Sequence, residues 1–332
     1  MSLNPDLSNP YFHGLVTNQH FTLDAAMQCL YSLVDIYPQH VNNMVAKGYI
    51  TNVCSSMEYM IQLFDNIFLE QCIRTFDKVS QENPHSIMRS KAIPLCLGCI
   101  DFFDSRSQER ILNFLTNCCG AAQSEDEFDQ YLLDLVPQLC PMLEIHSEND
   151  VIRAQKISTV FQRMVRSFTM FYYSYRDFDK IAALYQKFSD RGAISCIAEG
   201  LKRYAQVMQE QKILGDAGEN SMEVDMINTQ QVQGQSKHFS DETLSNFFKI
   251  LTSACKYQIT TIQAIINDDT ISMLETLLPG EDQEQPSYMQ DMTSLINQIF
   301  PATDELIHDR NQVFIFGPGQ NYQVSEDPNS QY

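Results

Sequence analysis

Ala92-Ile93-Pro94-Leu95-Cys96-Leu97 is one of five versions of a short apolar phrase that recurs along the chain. It is preceded by Gly48-Tyr49-Ile50-Thr51-Asn52-Val53. It is followed by Leu135-Val136-Pro137-Gln138-Leu139-Cys140, by Gly192-Ala193-Ile194-Ser195-Cys196-Ile197 and by Asp269-Thr270-Ile271-Ser272-Met273-Leu274. Each version reads as a short apolar helix entered through a breaker or a small residue, with a longer helical pattern beside it. Counted from Tyr49, Ala92, Leu135, Gly192 and Asp269, the successive intervals are 43, 43, 57 and 77 residues.

A period of this length belongs to stacked helical repeats, whose units cannot bury their apolar faces without their neighbours. The fold expected is all-α: an armadillo/HEAT-like, right-handed α-solenoid of about five to six repeats. Residues 1–19 read as an irregular lead-in, because Pro5, Pro10 and Gly14 interrupt any helix there. From Thr22 onward Leu23, Met27, Leu30, Leu33 and Val34 share one helical face until Pro38. Further helices are expected over 39–46, 65–82, 106–121, 149–171, 259–266 and 287–300, and behind Ser240. In two of the long ones Ile67, Phe68, Cys72, Phe76 and Val79, and Ile152, Ile157, Val160, Phe161, Met164 and Phe168, are expected to face inward. Ser105 with Gln108, and Ser124 with Glu127, have capping-box spacing, the second opening a helix that runs to Pro137.

The 57-residue interval is read as a lengthened inter-helix loop carrying Tyr172, Tyr173, Tyr175 and Tyr185. The 77-residue interval is read as one period plus a disordered insertion at 207–238, a polar, Gln-rich tract without bulky apolar groups. The array then spans 20–302, and 303–332 is a loose tail.

Charge and composition remove several functions. A net charge of −20 argues against nucleic acid and against anionic membrane surfaces, both of which need clustered Lys and Arg. The 44% hydrophobic content supports a real core. No basic, apolar leader opens the sequence, and the apolar run Ala92–Phe103 is too short to cross a bilayer. Ten cysteines without an export signal read as reduced thiols of an intracellular protein, nuclear or cytoplasmic.

Little in the sequence announces chemistry. Cys96-Leu97-Gly98-Cys99 is a lone CxxC with no second pair or HxxxH to complete a zinc site, so core thiols are expected and no metal. The seven His residues form no nucleophile–base constellation, no nucleotide loop or catalytic signature is present, and no cofactor is expected. The acids of Ser124-Glu125-Asp126-Glu127-Phe128-Asp129 invite a metal or a basic peptide, but they also suit the N-terminal turn of a helix. Asn113 and Asn117 lie four residues apart on one face of the 106–121 helix, where their amides either meet an extended peptide or bond locally.

The order of motifs from Ala92 to Phe103, then Gln108-Glu109-Arg110, Thr116-Asn117-Cys118-Cys119, Asp126-Glu127-Phe128 and Val136-Pro137-Gln138-Leu139, resembles one ligase family. It is similar to the armadillo-like region of the ubiquitin-fusion-degradation type HECT ubiquitin ligases, the thyroid-receptor-interacting ligase and its relatives. The resemblance implies a non-catalytic protein-binding arm that engages substrates or ubiquitin in ubiquitin-dependent degradation. Its partners would be protein substrates, ubiquitin and a HECT-containing chain, and the partner-binding candidates are Asn113, Asn117, Gln108 and Arg110. No HECT domain occurs within these 332 residues, and Cys118 and Cys119 match a scaffold position, not the ubiquitin-accepting cysteine. An alternative, an importin-like armadillo adaptor for basic peptides, suits the acidity but lacks the Trp array that such grooves use, since the chain has no Trp.

Overall fold

The first and fourth phrases start with the same backbone device. Gly48 and Gly192 both sit in the left-handed region, at φ 81° and 92°, where a side chain would be strained. Each closes one helix with its own N–H, Gly48 onto the Val45 carbonyl at 2.9 Å and Gly192 onto the Ser189 carbonyl at 2.8 Å. The next helix then leaves in a new direction. The computed structural model describes residues 10–63, 65–173, 177–219, 238–265 and 286–299. Among them the chain is almost entirely helical and contains no strand.

The α-helices are α1 Pro10–Ile36, α2 Val41–Ala46, α3 Tyr49–Leu63, α4 Asn66–Glu82, α5 Pro84–Met88, α6 Ala92–Gly98 and α7 Ser105–Ala121. They continue as α8 Glu125–Tyr131, α9 Val136–Leu139, α10 Glu148–Tyr173, α11 Phe178–Asp190, α12 Ala193–Glu219, α13 Asp241–Ile265 and, after residues outside the description, Met289–Ile299, here α14. A simple order governs their packing. α4 lies on α1, α7 on α4, α10 on α7, α13 on α10 and α14 on α13, so these six helices, called the long helices of the row below, form one continuous row. Between consecutive members of the row from α1 to α13 stand two further helices, the second of which carries the apolar phrase. The chain therefore recurs in groups of three helices.

Caps explain where these helices begin. Asp65, Asp104, Ser124, Asp177 and Ser240 each accept a hydrogen bond from the N–H three residues on, at 2.8 to 3.3 Å. Ser124 is the cap expected from the sequence, and the Glu127 carboxylate turns back to the N–H of Gln123 at 3.0 Å. Ser105 is not: Asp104 takes that role, and Gln108 reaches back instead to the carbonyls of Ile100 and Phe103 at 3.2 and 3.0 Å. The helix behind Ser124 stops at Tyr131, and a 3-10 turn leads into α9, with Pro137 in its first turn.

Other differences have equally local causes. The first helix begins at Pro10, not near residue 20, since proline lacks only an N–H that a first helical turn would leave unpaired. α12 runs through the start of the expected insertion to Glu219, while 220–237, the fifth phrase at 269–274 and the 303–332 tail lie outside the described residues. The wide interval before the fourth phrase holds a helix, α11, as well as the end of α10 with Tyr172 and Tyr173; Tyr185 is fully buried on α11. The separate helix expected at 259–266 is the far arm of α13, which bends at Gln258 (φ −141°, ψ 47°). There the Gln258 amide donates to Gln186 Oε1 at 2.7 Å and to the Ala182 carbonyl at 3.3 Å, which ties the bend to α11. Ile67 and Ile152, expected inside, are 71% and 50% exposed, because each lies near the start of its helix, off the stripe that its neighbours bury.

One apolar core runs from Met27 to Ile299. Its densest part surrounds Phe168 of α10, whose ring meets Phe128 at 4.8 Å, Tyr185 at 5.4 Å and Phe188 at 5.8 Å, all edge-on. Through it α8, α10 and α11 are packed into one unit. Phe168→Ala should therefore cost about 3–5 kcal/mol in a urea titration, and Phe168→Leu clearly less. A cost below about 1 kcal/mol for the alanine variant would mean that this aromatic cluster is not the centre of the core.

Candidate functional site

Each joint in the row of long helices carries a polar bond between side chains. Gln71 donates to Asp24 at 2.8 Å across α4 and α1, and Asn117 Nδ2 donates to Ser80 Oγ at 2.9 Å across α7 and α4. Lys156 Nζ donates to Asn113 Oδ1 at 3.1 Å across α10 and α7, and pairs with Glu109 at 3.0 Å. Asn246 Nδ2 donates to Ser158 Oγ at 3.0 Å across α13 and α10, where Gln155 also bonds Glu242. Ser245 donates to Asp291 at 2.6 Å across α13 and α14. Apolar burial has no preferred direction, so these bonds fix the register between neighbouring helices.

Five of these residues, Asn113, Asn117, Gln155, Lys156 and Glu242, open onto a polar cleft of about 380 Å³, which Asp77 and Gln81 of α4, Thr116 of α7 and Thr159 of α10 complete. Its construction follows a rule. Residues four apart share a helical face, and four successive long helices present such a polar pair: Asp77/Gln81, Asn113/Asn117, Gln155/Thr159 and Glu242/Asn246. Asn246 sits beneath, buried against Ser158 and Thr159. The sequence reading found the second pair and missed the others, although the spacing of four was there to be read.

Of the four residues singled out from sequence, Asn113 and Asn117 line this cleft. Each is half committed: Asn113 gives its carbonyl oxygen to Lys156 and Asn117 its amide nitrogen to Ser80. Among the described residues, the Asn113 amide nitrogen and the Asn117 carbonyl oxygen make no hydrogen bond, so one donor and one acceptor remain for the cleft. Gln108 is not in it. Its amide anchors the turn before α7, and its side chain borders a smaller cleft of about 230 Å³ between the first turns of α7 and α10. Arg110 is half-buried and acts through charge on Asp77.

Asp77 is the electrostatically unusual member. Burial pushes its carboxyl above the usual range, against the opposing pull of Arg110, Lys78 and Lys156. The acidic run 124–129 behaves in the opposite way. Glu125 bonds Lys187 at 2.7 Å and accepts from Tyr172 at 2.5 Å, Glu127 pairs with Arg89, and Asp129 shares Lys187. These bonds hold Glu125 and Glu127 below the usual carboxylate range. The run serves its own helix and its neighbours.

Thiols divide equally clearly. Cys96 and Cys99 of the CxxC are buried, and burial raises Cys96 well above a free thiol and Cys99 to about 11. Cys118 and Cys119 are likewise buried and raised. Among the described residues no group of three His, Cys, Asp or Glu side chains is placed to hold a metal, and no helix is long and apolar enough to cross a membrane.

Comparison with known proteins adds the ubiquitin system. Over 137 residues, 40% of this chain, the sequence is 29% identical to the E3 ubiquitin-protein ligase UPL4 of Arabidopsis thaliana. Over 121 residues, 36% of the chain, it is 27% identical to the E3 ubiquitin-protein ligase UPL3 of the same plant. The chain spans less than a tenth of the length of these relatives, the matches covering 9% and 6% of them. No family model matches the chain. The two partial similarities link this chain to ubiquitin ligases.

The charge of Asp77 has a measurable signature. Its folded carboxyl titrates above the unfolded value of about 3.9, so ionisation opposes folding increasingly as pH rises through that range. Asp77→Asn should accordingly raise the melting temperature at pH 7 and leave it unchanged at pH 3, where both states are protonated. A lower melting temperature at pH 7 would show that the attraction of Arg110 outweighs burial.

Proposed function

We propose that this chain is an armadillo-like α-solenoid that binds proteins with the cleft along its long helices, as the substrate- or ubiquitin-engaging arm of HECT-type ubiquitin ligation. The observation that carries the reading is the partial similarity to two E3 ubiquitin-protein ligases, across a chain whose helices recur in threes. The three-helix recurrence and the single row of long helices support the solenoid: in such an array each unit packs on the units before and after it, and the long helices line the concave side.

The cleft supports the binding role. Asn113 and Asn117 offer one amide donor and one carbonyl acceptor, the complement of an extended peptide's backbone. Asp77 and Glu242 add negative charge beside them, which favours a partner with basic or donor groups facing the cleft. The thioester chemistry of the pathway would then reside in a HECT-containing region or chain, not in the buried thiols of this array.

Two measurements test this. The immobilised chain should capture ubiquitin conjugates or ligase components, and Gln81→Trp, which fills the cleft from an exposed position, should abolish the capture while leaving the melting temperature unchanged. Recovery of neither class of protein would sink the binding role. Incubated with ubiquitin-charged conjugating enzyme, the chain should form no thiol-sensitive ubiquitin adduct; an adduct would make it a transferase in its own right.

A further inference from the structure

A second cavity, of about 650 Å³, opens on another part of the molecule, between the 3-10 turn Cys140–Leu143, the residues 144–146 after it, α12 and Phe239. Leu143, Tyr204, Val207 and Phe239 give it apolar walls. Its rim is charged: Arg203 pairs with Glu144 at 3.1 Å and with Glu199 at 3.3 Å, and His146 stands 3.6 Å from Glu144. Two half-buried thiols, Cys140 and Cys196, meet at this cavity. Cys196 Sγ donates to the Cys140 carbonyl oxygen at 3.3 Å, which places the two residues side by side at the cavity.

No other pair of the ten cysteines combines these properties. Cys54, Cys72, Cys96, Cys99, Cys118, Cys119 and Cys255 are buried, and burial raises every one of them. Cys29 is exposed on α1, far along the row from this cavity. At the cavity Cys196 is lowered relative to an ordinary thiol by its pairing with Cys140 and by the charge of Arg203. Two partly accessible thiols held side by side at one cavity are the arrangement that dithiol redox chemistry requires.

We propose that Cys140 and Cys196 are a reversible redox site that closes to a disulfide under a peroxide oxidant. The Cys196 thiolate attacks one peroxide oxygen and the O–O bond breaks, leaving a sulfenic acid on Cys196 and releasing the first water once protonated. Cys140 then attacks the Cys196 sulfur as the S–O bond breaks, and its proton leaves with the hydroxide as a second water. Two thiols lose two electrons in total and hydrogen peroxide is reduced to two waters. The new bond ties the end of the third apolar phrase, where the 3-10 turn begins, to the fourth phrase on α12, in the wall of the cavity.

The test uses the full chain carrying Cys29→Ser, which removes intermolecular linkage through the exposed thiol. After treatment with stoichiometric hydrogen peroxide, alkylation and digestion, mass spectrometry should find the Cys140 and Cys196 peptides linked, with two fewer alkylatable thiols and full recovery by dithiothreitol. The melting temperature should rise on oxidation and fall back on reduction. Cys140→Ser should stop the reaction at a sulfenic acid on Cys196, trapped by dimedone. If Cys140 and Cys196 both remain alkylatable under peroxide, or if linkage occurs only after helicity is lost, the assignment is wrong.

Discussion

Each long helix in this molecule is buried between the one before it and the one after it, and nearly everything else follows from that requirement. A helix pressed from two sides needs apolar residues around more of its circumference than a surface helix does. α4, α7 and α10 show this in Phe68, Phe76, Phe114, Phe161 and Phe168, each fully buried. The helices carrying the recurring phrase, α3, α6, α9 and α12, stand beside the row. Left-handed Gly48 and Gly192 supply two of the reversals that return the chain to it.

A seam made only of apolar contacts would let neighbouring helices slide. The bonds from Gln71, Asn117, Lys156, Asn246 and Ser245 remove that freedom one joint at a time. Residues that hold two helices together must lie near the seam, and seams along one face of a row together form a groove. The polar cleft is therefore a by-product of register control before it is anything else. What goes beyond register is the unused half of each amide at Asn113 and Asn117 and the burial-strained charge of Asp77.

The all-α class was readable because apolar residues at helical spacing alternate with breakers, and the helices at 65–82, 106–121 and 149–171 were placed within a residue or two. What escaped the sequence reading was decided by tertiary partners. The helix α11 occupies a stretch that looked like loop because its aromatic residues, Phe188 and Tyr185 among them, make sense only against Phe161 and Phe168. The bend at Gln258 depends on acceptors seventy residues away in sequence, Ala182 and Gln186. Gln108 looked like a surface amide, and only the fold brings the carbonyls of Ile100 and Phe103 within its reach. The site was half legible: the pair on α7 was visible, but its alignment with pairs on α4, α10 and α13 is a property of the stack.

That alignment makes the row a ruler. Packed helices stand about 8–10 Å apart, while an extended chain advances about 3.3 Å per residue. A strand laid across Asp77/Gln81, Asn113/Asn117, Gln155/Thr159 and Glu242 would thus meet a fresh polar position about every third residue. Three joints make a gauge roughly nine residues long, with graduations set by helix diameter and not by any single side chain. Under the proposed binding role, selection would be by spacing: two partners of identical composition would be told apart by where their polar groups fall along the backbone.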